Sequence, residues 1–386
     1  MIYHASVDDI KKGKVTDVYF VRTMEVLERK GIDRWVRAEF IVKRLPDNIP
    51  WAVFCGLEEV REIIKDLKVK ARAMREGTII RPYEPVLEIE GMYTDFGLFE
   101  TAILGLICQA SGVATKAARC KKAAGARPVI SFGARRIHPI IAPSIERSAF
   151  IGGCDGVSVV LDAELIDEEP SGTMPHALIL LFGDTVSATL AFDEVVDKNV
   201  KRVALIDTFN DEKFEAISVA QALGDRLFAV RLDTPSSRRG DFLRTLEEVR
   251  WELNIRGFNY VKIFVSGGID EYKILQLNPF VDAYGVGTSI SNARVIDFAM
   301  DIVEIEGRPI AKRGKMSGAK RVLRCKDCFR DKVVPLSYDA DRRCECGGLL
   351  EDLLLPWCEN GRFFFDSESP QQTRQYVLEQ MKYLEL

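Results

Sequence analysis

Histidine is nearly absent from this chain: His4, His138 and His176 are the only three in 386 residues. Any imidazole chemistry must come from one of them. A charge excess is also missing. Lys and Arg number 54 against 58 Asp and Glu, a formal net charge of −4, which gives no global attraction to nucleic acid or anionic lipid. Nor is there a long apolar run free of polar groups. The most apolar stretch, Phe96–Ala114, carries Glu100, Gln109 and Ser111; charge at a bilayer centre is costly, so a buried helix is expected rather than a membrane span. Met1-Ile2-Tyr3-His4-Ala5 lacks a basic region leading into an apolar core. The expectation is therefore a cytoplasmic protein without a signal peptide.

Cysteine, by contrast, is clustered. Of nine, five crowd into the C-terminal part: Cys325, Cys328, Cys344, Cys346 and Cys358. Cys325-x-x-Cys328 and Cys344-x-Cys346-Gly-Gly are separated by 15 residues, the pattern of two knuckles around a tetrahedral Zn²⁺ in a small β-rich module. The Cys-x-Cys half is tighter than the usual knuckle, so the fourth ligand is Cys346 or Cys358. Four thiolates leave no open position, and the expected metal is structural. The basic stretch from Lys312 to Arg324 raises a nucleic-acid-binding ribbon as an alternative; the flanking acids and the lack of clustered aromatics count against it.

The middle of the chain has a rhythm. Short apolar runs at 203–206, 227–230, 261–265 and 281–286 end in Asp207-Thr208, Arg231-Leu232-Asp233, Ser266-Gly267-Gly268 and Gly285-Val286-Gly287-Thr288. Helix-length segments separate them, as in parallel β/α units. Runs at 129–132 and 157–160 extend the series and 178–182 is a further candidate. Six or seven strands predict an α/β fold with an incomplete or irregular (β/α) barrel over 116–300. Residues 1–115, with part of the tail, read as an α+β domain: a helix stopping at Lys30-Gly31, a strand over 36–42, an amphipathic helix on Leu57, Val60, Ile63, Ile64 and Leu67, and strands at 79–81 and 86–89. A long helix follows from Glu100, with Gly112 as a possible break. Ser111 and Thr115 are hard to assign to packing alone. Residues 301–386 form the zinc-binding module and a terminal helix over Gln371–Leu386. Asn210-Asp211 is expected to start a helix burying Phe214, Ile217, Ala220 and Leu223.

In barrels of this kind chemistry gathers at strand C-termini, and the last loops hold phosphate. The glycine turns at 266–268 and 285–288 let backbone N–H groups approach an anion. Arg231 can neutralise a phosphate or carboxylate. Asp207 and Asp233 can bind ribose hydroxyls or Mg²⁺, stabilise positive charge at an anomeric carbon, or merely cap helices. Arg135 and Arg136, after the strand at 129–132, form a basic cluster suited to carboxylate or phosphate. Thr173 and His176 stand on a Gly-Thr turn.

Glu100–Thr115 with its Ser-Gly-Val-Ala-Thr, Val265-Ser-Gly-Gly-Ile-Asp270 and Gly285-Val-Gly-Thr288 resemble the motifs of the type II phosphoribosyltransferases. Thr16-Asp-Val-Tyr19, Phe132-Gly-Ala-Arg135, His176, Asp207 and Arg231-Leu-Asp233 fall in the order of the nicotinate and nicotinamide branch. The likeness covers roughly residues 14 to 290. The cysteine-rich tail makes it most similar to archaeal-type nicotinate phosphoribosyltransferases. The resemblance implies transfer of phosphoribosyl from phosphoribosyl pyrophosphate to nicotinate in NAD biosynthesis. It implies a homodimer with shared active sites, in which Phe132 and the neighbouring subunit's Tyr19 sandwich the pyridine. Asp17 acts across the same interface, and Arg135 and Thr173 sit at the nicotinate end. Arg231, Asp233, Gly267, Gly268, Gly287 and Thr288 hold phosphoribosyl. Mg²⁺ accompanies the diphosphate, and His176 is phosphorylated by ATP to drive the reaction.

Two departures stand out. Where the family has Asp-Ser-Gly-Asp, this chain has the longer, basic Asp233-Thr-Pro-Ser-Ser-Arg-Arg-Gly-Asp241. Around His176 the family's following serine is Ala177. Quinolinate phosphoribosyltransferase is the nearest alternative, its second carboxylate met by the Arg135-Arg136 pair. A sugar-phosphate isomerase or aldolase is the alternative from another class, but the strand ends show no lysine or clear acid–base pair for it.

Overall fold

The computed structural model describes residues 3–235, 237–338 and 343–386. They form two compact units, Met1–Thr115 with Arg294–Leu386, and Lys116–Ala293.

The first unit is built on a seven-stranded sheet in the spatial order Arg308–Pro309, Phe298–Ile305, Trp35–Val42, Pro85–Met92, Lys70–Ala73, Leu355–Glu359, Arg362–Phe363, with every neighbouring pair antiparallel. Its core joins residues far apart in sequence: Phe40, Phe54, Ile64, Leu87, Ile103, Ile107 and Trp357 are all buried in one cluster. The amphipathic pattern at 57–67 forms the helix Leu57–Ile64, burying Leu57, Val60, Ile63 and Ile64. The helix Val18–Lys30 ends at Gly31 in the left-handed region (φ 61), where glycine has no Cβ penalty.

The long helix runs unbroken from Glu100 to Ala124. Together with Tyr93–Phe99 it is long and apolar enough to cross a membrane, and 56% of its most apolar window is buried within the protein. Gly112 is no break. A Cβ there would stand 2.4 Å from the carbonyl oxygen of Arg294, so glycine serves close backbone approach. Ser111 and Thr115 also turn out to be structural. Thr115 Oγ1 accepts from Val53 N at 2.9 Å and Ser111 Oγ from Cys55 N at 2.9 Å, satisfying backbone donors at a short strand's end.

The C-terminal segment adds a three-stranded sheet, Asp331–Pro335, Lys320–Cys325 and Leu350–Asp352. Its central strand carries buried Arg324, which donates to Asp331 (2.8 and 2.6 Å), Ile79 O (2.6 Å) and Gln380 Oε1 (3.1 Å). The terminal helix is Pro370–Gln380, capped by Ser369 and shorter than the expected 371–386.

The second unit is a six-stranded parallel sheet in the order Gly156–Val157, Val129–Ser131, Ala283–Val286, Lys262–Ser266, Leu227–Leu232, Arg202–Leu205. The strands at the two ends do not pair, so the barrel is a half-barrel. The run at 178–182 is not a strand but part of the helix His176–Phe182. Its sequence, Ala177-Leu-Ile-Leu-Leu-Phe182, is rich in good helix formers and has one β-branched residue. The helix at 212–223 buries Glu215, Ala216, Val219, Ala220 and Leu223, whereas Phe214 is 61% exposed and Ile217 only half-buried. Ala220 and Leu223 are buried as expected, but Ala216 and Val219 share that face in place of Phe214 and Ile217.

Register places the functional ends together. Leu205 pairs with Arg231, Val265 with Leu232, Ser266 with Gly285 and Val286 with Ser131. The residues that follow, Asp207, Asp233, Gly267, Gly287 and Phe132, therefore line one edge of the sheet.

Candidate active site and cysteine cluster

A cleft of about 380 Å³ opens at that edge, lined by Phe132, Arg135, Arg136, Arg231, Asp233, Ser266, Gly267, Gly268, Ile269, Asp270, Gly285, Gly287, Thr288 and Ser289. Arg231 is its organiser. Nε donates to Ser266 Oγ (2.9 Å), Nη1 to Thr173 Oγ1 (2.6 Å) and Nη2 to Asp233 Oδ2 (3.1 Å). Its guanidinium lies 5.1 Å from the Phe132 ring centre and 6.0 Å from that of Phe264. Such cation–π contacts suit a partly desolvated cation. Burial holds the Arg231 pKa below its ordinary value, against the pull of Asp233 and Asp207.

The acids form a relay of hydrogen bonds. Ser266 Oγ donates to Asp233 Oδ1 (2.9 Å), Asp233 N donates to Asp207 Oδ2 (2.9 Å), and His176 Nε2 meets Asp207 Oδ1 (3.2 Å). The Asp207 side chain is 1% exposed and that of His176 41%. Burial pushes the Asp207 carboxyl above its ordinary pKa, opposed by His176 and by the Asp233 amide. Neither acid is a helix cap. With Asp207 accepting from Nε2–H, the lone pair of the imidazole is on Nδ1.

Two glycines are required by their surroundings. A Cβ on Gly285 would approach the Phe132 ring to 2.5 Å, and one on Gly267 (φ +77) would approach Asp233 Oδ1 to 2.7 Å. The first lets Phe132 pack over the strand; the second lets the turn pass close to the carboxylate.

Sequence reasoning missed Glu146. Fully buried, it accepts from Ser131 Oγ (2.6 Å) and Ser158 N (3.0 Å), joining two strand ends beside Phe132. Burial raises its pKa to about 7. It sits in the helix Ala142–Ile151, and nothing in the local sequence marks it. Asp17 and Tyr19 belong to the other compact unit. Asp17 precedes the helix Val18–Lys30 without capping it and accepts from Thr101 Oγ1 (3.2 Å), while Tyr19 is 56% exposed.

In the C-terminal module the Sγ atoms of Cys325, Cys328, Cys344 and Cys346 all lie within 4.8 Å of one another, with 325···346 at 3.4 Å and 328···344 at 3.6 Å. Thiolates about 2.3 Å from a tetrahedral Zn²⁺ stand about 3.8 Å apart, so the four fit that ion. Cys358 is not among them; it is buried in the core of the first unit, so the fourth thiol of the cluster is that of Cys346.

Comparison with known proteins matches the same two parts. The family described as quinolinate phosphoribosyl transferase, N-terminal domain, matches residues 17–111, and its C-terminal domain matches 113–301. The nicotinate phosphoribosyltransferase of Bacillus subtilis is 29% identical over 314 residues, covering 72% of this chain and 63% of its own, so the chain spans less than two thirds of that relative. Nicotinate phosphoribosyltransferase pncB2 of Mycobacterium tuberculosis is 28% identical over 387 residues, covering 90% and 82%. Among solved structures, nicotinate-nucleotide pyrophosphorylase from Pyrococcus furiosus superposes with a TM-score of 0.98 at 55% identity, covering 100% and 99%. Human nicotinic acid phosphoribosyltransferase shares the fold, with a TM-score of 0.73 at 18% identity over 96% and 94%.

Proposed function

The chain belongs to the type II phosphoribosyltransferases, the quinolinate and nicotinate family, and from that premise we propose that its acceptor is nicotinate. Phosphoribosyl pyrophosphate and a pyridine carboxylate are the substrates the family implies. In the proposed reaction the C1–O bond to diphosphate breaks, its electron pair leaves with the diphosphate, and the nicotinate ring nitrogen forms the new bond to C1. Little proton transfer is needed, so charge and position dominate. Asp233, and Asp207 behind it, supply negative charge for the oxocarbenium-like C1. The Gly267-Gly268 and Gly287-Thr288 turns take the 5′-phosphate. Phe132 and Arg135 meet the pyridine carboxylate, with Asp17 and Tyr19 supplied by a second copy in a homodimer working in the cytoplasm. Mg²⁺ enters as a companion of the diphosphate. Each carboxylate oxygen of Asp207 and Asp233 already has a hydrogen-bond partner, so these acids do not form a ready metal site and no step is assigned to the ion.

The observation that carries the nicotinate reading is the His176–Asp207 contact. A half-exposed imidazole held by a buried carboxylate, with Nδ1 as its nucleophilic atom, fits a histidine that takes phosphate from ATP. Attack forms the N–P bond and releases ADP; later hydrolysis returns the histidine and frees phosphate. Accordingly, His176→Ala should lose ATP stimulation of mononucleotide synthesis, by about tenfold or more at low substrate, while keeping ATP-independent transfer. Coupled assays of ADP and mononucleotide check this, and unchanged ATP stimulation would remove the phosphohistidine. The quinolinate reading draws on Arg135 and Arg136, which both line the cleft and could receive two carboxylates.

A further inference from the structure

The turn that departs from the family pattern brings a cation up behind the glycine loop of the cleft. Arg239 is half-buried behind the Ser266-Gly267-Gly268 turn. Nε donates to Thr234 O (2.6 Å), and Nη2 donates to Ser266 O (2.9 Å) and to Gly267 O. Thr234 is in turn fixed by its Oγ1, which donates to Glu212 Oε1 (2.8 Å). The aromatic ring of Phe242 lies 4.7 Å from the guanidinium. One side chain thus ties the loop after Leu227–Leu232 to the loop after Lys262–Ser266.

This bracing has a directional consequence. A trans peptide points its N–H opposite its C=O. With the Gly267 carbonyl drawn onto Arg239, the Gly268 amide is turned to the other side, where Gly267 and Gly268 line the cleft. Gly267 and Gly268 have consecutive positive φ values, +77 and +58, which glycine adopts without strain. The guanidinium has five N–H donors. Among the described residues none accepts from Nη1, which lies 3.8 Å from the point a Cβ on Gly268 would occupy.

We propose that Arg239 positions the phosphate end of this site: by holding the Ser266 and Gly267 carbonyls it turns the Gly268 amide toward the 5′-phosphate of phosphoribosyl pyrophosphate. The role rests on the phosphoribosyl reading of the cleft given above. The longer, basic turn of this chain thus supplies a guanidinium whose Nε and Nη2 are taken up by three carbonyls, and it acts on phosphate through the backbone donor it orients. Burial holds the Arg239 pKa below its ordinary value, countered by Asp233 and Asp207.

The test is steady-state kinetics of the full-length wild type, Arg239→Gln and Arg239→Lys, with inorganic phosphate as a competing probe. Arg239→Gln should raise KM for phosphoribosyl pyrophosphate about ten- to hundredfold, with kcat and KM for nicotinate within about threefold. Inhibition by inorganic phosphate should weaken in parallel. Arg239→Lys keeps the charge but not the fork, and should fall between. It also stands in should the glutamine variant not fold. An unchanged KM for phosphoribosyl pyrophosphate in a folded Arg239 variant would overturn the role of Arg239 alone. A uniform loss of kcat with no selective effect on this substrate would overturn it equally. Wild-type protein that is not saturated by phosphoribosyl pyrophosphate would overturn the reading of the cleft itself, and Arg239 with it.

Discussion

Asp233→Asn should cut kcat/KM for mononucleotide formation by roughly 10²- to 10³-fold while the protein stays folded. The expectation follows from what the carboxylate touches. Its two oxygens take Ser266 Oγ and Arg231 Nη2, and its amide donates to Asp207. Asparagine keeps the backbone donor and one acceptor, so the strand ends stay in register. What it removes is the charge proposed to face a developing oxocarbenium ion, in a cleft where Arg231 is largely withdrawn from solvent and the dielectric is lowered. Arg231 keeps Ser266 and Thr173 as partners, so the fold loses little. Circular dichroism and thermal melting should show a near-native protein beside initial rates that have collapsed. A variant with wild-type kcat/KM would mean Asp233 only orients Arg231.

The second large effect is on stability. Cys328→Ser, or treatment with a strong chelator, should release one zinc ion per chain and lower the melting temperature by roughly 10 °C or more. Structural zinc is worth on the order of 10 kcal/mol in small modules, and part of that stabilises whatever the module is packed into. Here the link is explicit. The strand Lys320–Cys325 that ends in the first thiol of the cluster carries Arg324, and Arg324 reaches Asp331, Ile79 O and Gln380. Asp331 also pairs with Arg81, and Phe329 stacks on Tyr383 at 4.9 Å. Losing the metal loosens a strand whose buried arginine would then lack fixed partners, a costly state. Metal analysis and calorimetry check both parts. Purified protein with four reduced thiols, no bound metal and an unchanged melt would contradict the structural site.

Much of this was legible in the residues because the signals were local. Strand-end glycines, the Arg-Leu-Asp after an apolar run, and knuckle-spaced cysteines each declare a chemistry within a few positions. Periodicity found the helix at Leu57 and the parallel strands. It misread 178–182, where an apolar run fits helix or strand equally, and Leu and Ala decided for helix. It put Phe214 and Ile217 on the buried face of the helix at 212–223, where Ala216 and Val219 instead accompany the expected Ala220 and Leu223. Ser111 and Thr115 are hard to assign from sequence and Gly112 reads as a break; they serve a neighbouring strand's amides and a close backbone crossing. Glu146 could not be found at all, since its meaning lies in Ser131 and Ser158 on two strand ends. Arg239 was visible as a basic turn, but only the fold shows that its donors reach the glycine loop.

One assay decides the acceptor: purified protein with phosphoribosyl pyrophosphate and either nicotinate or quinolinate, following mononucleotide and carbon dioxide. Nicotinate should give nicotinate mononucleotide and diphosphate, with no carbon dioxide. Product from quinolinate alone, with carbon dioxide released in equal amount, would contradict the nicotinate reading.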